Sequence, residues 1–252
     1  MNRRKAPTDA EEKLRSKTGL TATFNGEKMK ALAIDSASGC MTVSAKNDDI
    51  TTSLSLDIGP KQSQELLPAI DFVLKKVDLK PEELDYTVLC KGPGTFTGLR
   101  LAFAALKSIE LAFNKPVYGV STLECYASPF ENFEGLVIST VDAKKDQFFA
   151  GIYENKKTIL EPEDTTIEKV ISVIDKTKKI LCVGPDAKLF AEELRQNSPS
   201  LDVIYFDAQI NTCINLFNIA EKMIEEKKEP LKDFEGPEYL RKSEAEIALE
   251  NK

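Results

Sequence analysis

With 252 residues, 42% of them hydrophobic and 30% charged, the chain has the composition of a globular protein made of one large domain or two small ones. A formal charge of −7 argues against a domain that grips nucleic acid by itself, because lysines and arginines neutralising phosphates supply most non-specific affinity. The absence of histidine removes the commonest general base and the commonest metal ligand together, which excludes Ser–His and Cys–His nucleophiles and His-ligated zinc.

Residues 1–28 mix charges of both signs and have no apolar face, so a disordered N-terminal extension is expected, with Met29 as an alternative start. Residues 30–36, 40–45 and 51–57 read as three short strands joined by Ser-, Gly-, Asn- and Asp-rich turns. Over residues 63–77, Leu66, Leu67, Ile70, Val73, Leu74 and Val77 recur at the helical period, which requires Pro68 to fall in the first turn. A capped turn at Lys80-Pro81-Glu82-Glu83 leads into a strand at 86–90.

The stretch C-K-G-P-G-T-F-T-G-L-R, residues 90–100, then joins a strand to an apolar helix that runs to about Asn114. Gly92, Gly94 and Gly98 allow torsions that a Cβ resists and allow another backbone or a phosphate to come close. Together with Thr95, Thr97 and Arg100 they make a candidate anion-binding turn at a helix N-terminus; the competing reading is a tight turn with a threonine cap. The spacing is G-x-G-x-x-x-G, and no lysine follows Gly98, so neither common nucleotide fingerprint is met. A strand at 117–120 and a helix at 122–128 close this half.

The second half repeats the plan: a hairpin at 136–141 and 147–153, a short strand at 158–160, a helix at 166–175, a strand at 179–183, a helix at 186–196, a strand at 203–206 and a helix at 212–226. L-A-I-D at 32–35 corresponds to S-T-V-D at 139–142, and V-L-C-K-G-P at 88–93 to I-L-C-V-G-P at 180–185. A duplicated α/β unit of this order predicts an actin-like, ribonuclease-H-like fold. Its expected subdomains are residues 29–130 and 131–230, followed by a tail at 231–252. Cys40, Cys90, Cys125, Cys182 and Cys213 lie far apart without a C-x-x-C pair and read as reduced structural thiols. No run approaches the roughly 20 apolar residues of a membrane helix, and no secretion signal is evident, so the expected location is the cytoplasm.

Taken together, A-I-D-S, Q-S-x-x-L-L-P, G-P-G-T-F-T-G-L-R, G-V-S-T-L-E at 119–124, V-D-A-K at 141–144 and Y-L-R at 239–241 resemble the bacterial TsaB (YeaZ) family from about Lys30 to Arg241. The resemblance implies a part in making the threonylcarbamoyl modification on the adenosine beside the tRNA anticodon. It implies a non-catalytic partner of the transferase TsaD, with the ATPase TsaE recruited to the pair and tRNA met only through the complex. It also implies a dimerisation face on the two helices carrying Leu66, Leu67, Ile70, Leu74, Ala102, Ala105 and Ile109, used to pair with TsaD or with a second copy. On this reading the chain has no catalytic residue, no metal and no cofactor of its own, and any adenine nucleotide lies at the partner interface. Gln62 stands where many members of the family carry histidine.

Other readings start from different residues. A self-sufficient ATPase or kinase would use Asp35 at the end of the first strand, with Asp142 as a second acid across the cleft; the competing reading makes both ordinary turn caps. Ala37, two residues after Asp35, stands where phosphate loops of this fold want glycine. The helix at 97–114 is apolar almost all round and so should be covered on more than one side, either deep in its own domain or by a partner. Arg100 either pairs within the fold or reaches a partner's substrate, and Lys144 and Lys145 are expected at a solvated hairpin tip. A metalloprotease is disfavoured by the missing histidines.

Overall fold

A computed structural model describes residues 28–206, 208 and 210–241. The expected extension at 1–28 therefore lies outside the described residues apart from Lys28, and so do residues 242–252 of the expected tail.

The elements follow the sequence pattern closely. They are β1 (Lys30–Asp35), β2 (Cys40–Asn47), β3 (Ile50–Asp57), α1 (Gln62–Lys76), β4 (Tyr86–Gly92), α2 (Phe96–Phe113), β5 (Val117–Ser121) and α3 (Thr122–Ala127). The second half supplies β6 (Leu136–Lys144), β7 (Gln147–Glu154), β8 (Lys157–Thr165), α4 (Ile167–Val173), β9 (Ile180–Val183), α5 (Ala187–Asn197), β10 (Val203–Tyr205) and α6 (Thr212–Glu225). One sheet has the order β3-β2-β1-β4-β5 and the other β8-β7-β6-β9-β10, so the strands correspond one to one. In each sheet the first three strands are antiparallel and the last two run parallel to the first. This is the duplicated α/β architecture of the actin-like fold.

The two-residue period of a strand explains how β1 serves two layers. Leu32 and Ile34 point to the face covered by α1 and α2, where Leu66, Ile70, Val73, Phe103 and Leu106 meet them. Ala31 and Ala33 point to the other face, where the small side chains let Cys213, Leu216, Phe217 and Ala220 of α6 approach. In the second lobe Ile138, Phe148 and Ile152 pack against Val170 of α4 and Phe190 and Leu194 of α5.

Three expectations need correction. Pro68 lies well beyond the first turn of α1; it is exposed, as is Gln64, the residue whose carbonyl loses a helical donor, so water can replace that bond. The strand expected at 158–160 is β8, nine residues long, because Glu161, Pro162 and Glu163 continue an edge strand that their polarity hides. The boundary at 130/131 divides the sheets but not the helices. α6 covers the first sheet, whereas Leu123, Tyr126 and Ala127 of α3 pack on Val137, Val141 and Val183 of the second. Apolar periodicity shows that a helix has a buried face without showing which sheet buries it.

Candidate functional site

The glycine stretch is fused to the turn after β1. Thr95 donates its N–H to the Ala37 carbonyl (2.7 Å), and the Ser36 hydroxyl donates to the Gly98 carbonyl (2.6 Å). A Cβ at Gly94 would lie 2.5 Å from the Ala37 oxygen, and one at Gly98 would lie 1.9 Å from the Ser36 oxygen. Gly92, at φ +127°, has the same relation to the Glu238 carbonyl, at 2.3 Å. The space that three missing side chains leave is thus filled by the chain's own carbonyl oxygens. The turn's shape serves close packing, and its open side holds Thr95, Phe96, Thr97 and Arg100, all exposed. Gln62 is buried and donates to the Ser38 carbonyl (2.7 Å), steadying the same turn from α1.

Arg100 is held within the fold. Its Nε donates to the Tyr239 hydroxyl (3.0 Å), its guanidinium lies 3.7 Å over the Phe96 ring, and Phe96 stacks on Tyr239 at 5.4 Å. Tyr239 belongs to a strap, residues 231–241, in place of the expected tail. Leu231 donates to Val117 (2.8 Å), Glu238 donates to Lys91 (2.8 Å), and the Lys91 ammonium pairs with the Glu238 carboxylate (2.9 Å). The strap ends in the second lobe, where Arg241 makes two bonds to Asp164 (2.6 and 2.9 Å), one to the Ala143 carbonyl (2.8 Å) and one to Gln147 (2.6 Å). The Y-L-R motif was the signal for it, since a stacking tyrosine and a forked arginine two residues apart can reach two surfaces.

The seven residues assigned to a partner face divide. Leu66, Ile70, Leu74, Ala102, Ala105 and Ile109 lie in the first-lobe core, and Leu67 is 67% exposed. On α2 the buried face is Gly98, Leu99, Ala102, Phe103, Ala105, Leu106 and Ile109. The opposite stripe, Thr97, Arg100, Ala104, Ser108, Leu111 and Ala112, is exposed, with Leu111 at 91%. On these two helices the outward residues are therefore largely different from the seven expected.

Between the lobes lies a cleft of about 320 Å³ lined by Asp35, Cys40, Thr42, Tyr126, Phe130, Phe206 and Thr212 among others. Asp35 is 3% exposed and accepts the Ala37 N–H (3.0 Å). Burial pushes its carboxyl above the ordinary range, and the nearby Thr212 hydroxyl and the Ala37 N–H offset only part of that. Asp142 does not line the cleft. Its two oxygens meet the N–H and ammonium of Lys144 (2.7 and 2.5 Å), which outweigh its partial burial and hold its carboxyl below the usual value. The acid pair expected across the cleft is therefore not assembled. Among the described residues no group of three cysteines, aspartates or glutamates is arranged to hold a metal ion, and no helix is long and apolar enough to cross a membrane.

The fold and this turn-and-helix site define a two-lobed actin-like protein whose central glycine turn packs against its own chain. Residues 59–234, more than half of the chain, match the family model TsaD: tRNA N6-adenosine threonylcarbamoyltransferase. The chain is 26% identical to the tRNA threonylcarbamoyladenosine biosynthesis protein TsaB of Bacillus subtilis, over 86% of this chain and 96% of that protein. It is 29% identical to the TsaB of Buchnera aphidicola from Schizaphis graminum, over 71% and 89%. A solved structure described as similar to peptidase YeaZ, from Pseudomonas aeruginosa, superposes with a TM-score of 0.69 at 21% identity, covering 84% of this chain and 100% of that one. The chain belongs to the tRNA N6-adenosine threonylcarbamoyltransferase (TsaD) family, and the relatives that align along most of its length are TsaB proteins.

Proposed function

We propose that this chain serves tRNA threonylcarbamoyladenosine biosynthesis as the non-catalytic partner of a TsaD transferase, holding that enzyme and the ATPase TsaE in one complex. The observation that carries this reading is the outward stripe of α2. Ala104, Ser108, Leu111 and Ala112 leave an exposed, largely apolar surface, and the neighbouring helix α1 exposes Leu67 and Phe72. Small residues let a second helix approach closely, and an apolar centre with polar ends is the composition of a stable interface. The chemistry of transfer comes from the partner, because this chain has no histidine to hold a catalytic metal. Any adenine nucleotide is shared at that interface, and tRNA is met only by the assembled complex.

The test is co-purification with TsaD and reconstituted transfer. Leu111→Glu and Ala104→Glu should leave the circular dichroism and melting temperature close to wild type while abolishing the heterodimer and the transfer it supports. Wild-type protein that fails to pair with TsaD overturns the proposal, as does pairing that survives both substitutions.

A further inference from the structure

The interlobe cleft takes no part in the pairing just described, and its lining has a definite chemistry. Among the described residues around it there is no lysine or arginine. At one end sits the buried Asp35 carboxylate, which accepts the Ala37 N–H and is met by the Thr212, Cys90 and Tyr126 side chains, none of them charged. Beside it the Thr212 hydroxyl, on a residue only 5% exposed, makes no hydrogen bond of ordinary geometry. The walls are aromatic: Tyr126 from the first half, and Phe130 and Phe206 packed edge to face at 5.0 Å. Asp57 adds a second negative charge close to Cys40 at the rim.

A phosphate placed here would face carboxylates with no cation to neutralise it. A buried carboxylate without a counter-charge is costly even where neighbouring hydroxyl, thiol and backbone groups donate to it, and an ammonium or amidinium in the cleft supplies the missing charge. Aromatic faces attract the same cations through their negative quadrupoles. A volume of about 320 Å³ admits one ring with a short side chain. We propose that the cleft binds a small organic monocation, an amine or amidine on an apolar body, and rejects nucleoside phosphates. Because Asp35 ends β1 of the first sheet and Phe206 bonds to Cys182 of β9 in the second, such a ligand also bridges the lobes.

Benzamidine is a suitable probe, with benzamide as its neutral isostere and AMP as the phosphate control. In amide-resolved NMR titrations at neutral pH, benzamidine should bind saturably and shift the resonances of Tyr126, Phe130, Phe206 and Thr212. Benzamide should bind roughly tenfold or more weakly, the factor expected for one hydrogen bond to a charged group. AMP should not bind. Asp35→Asn should reduce benzamidine to the benzamide level, and Phe206→Ala should weaken both. The proposal is overturned if benzamide matches benzamidine, if AMP binds more tightly than either, or if benzamidine shows no saturable binding in the cleft. The comparison of the three probes on the unsubstituted protein decides the matter even if the Asp35 variant does not fold.

Discussion

Gly98 and Ser36 lie so close that a methyl group on Gly98 would stand 1.9 Å from the Ser36 carbonyl oxygen, while the Ser36 hydroxyl donates back to the Gly98 carbonyl at 2.6 Å. The first turn of α2 and the turn after β1 are therefore one rigid unit, and the orientation of the outward stripe of α2 depends on it.

Gly98→Ala should disrupt that unit. The clash is with backbone, which cannot move aside as a flexible side chain can, so the loss should exceed about 3 kcal/mol, in the range of severe core substitutions. Gly39→Ala, in the neighbouring turn, meets nothing within 4 Å and should change stability by less than about 1 kcal/mol. Urea denaturation of the two variants side by side checks the contrast.

Asp35 should make the protein less stable as pH rises. Its folded pKa lies above the unfolded value because of burial, so its contribution favours folding below about pH 4, where an unfolded aspartate is protonated. That contribution is lost as pH climbs through the raised folded value. Asp35→Asn, which cannot ionise, should melt at a higher temperature than wild type at pH 7, and the difference should shrink towards pH 4. Melting curves across that range would contradict the assignment if the gap were constant or reversed.

Arg241→Ala should release the end of the strap from the second lobe. It removes two charge-assisted bonds to Asp164 and leaves that carboxylate, 19% exposed, without them, at a cost of about 1–3 kcal/mol. Hydrogen exchange should quicken over residues 231–241 and over β8, with the core of the first lobe unaffected. Arg241→Lys should rescue only partly, since an ammonium cannot make the forked contact.

Glu221, 4% exposed, accepts from both the Lys46 ammonium and the Tyr86 hydroxyl (3.0 Å), and so ties α6 to β2 and β4. Glu221→Ala strands the lysine and the phenol. The cost should stay below the roughly 3–5 kcal/mol of a fully buried broken pair, because the Lys46 side chain is 23% exposed. Denaturant midpoints for the variant and for Glu221→Gln, which keeps an acceptor, measure it.

Much of this protein is legible in its sequence, and the reasons are local. Strand alternation at residues 30–35, the helical period through Leu66, Ile70 and Val73, and the repeated G-P turns at Gly92-Pro93 and Gly184-Pro185 depend on neighbours a few residues away. They were enough to give the element order, the duplication and the family resemblance, and the missing histidines limited the chemistry. Only the tertiary structure decided which side of an apolar helix faces outward. Ala105 and Ile109 turn inward and Ala104 and Leu111 outward, because the first pair meets the α1-facing side of the sheet. The tertiary structure likewise sent α6 to the first sheet and wedged α3 between the two, carried Arg241 to Asp164, and left Asp142 with Lys144 rather than opposite Asp35. Those contacts join residues far apart in the chain, and their energies come from packing and charge pairing that no local pattern records.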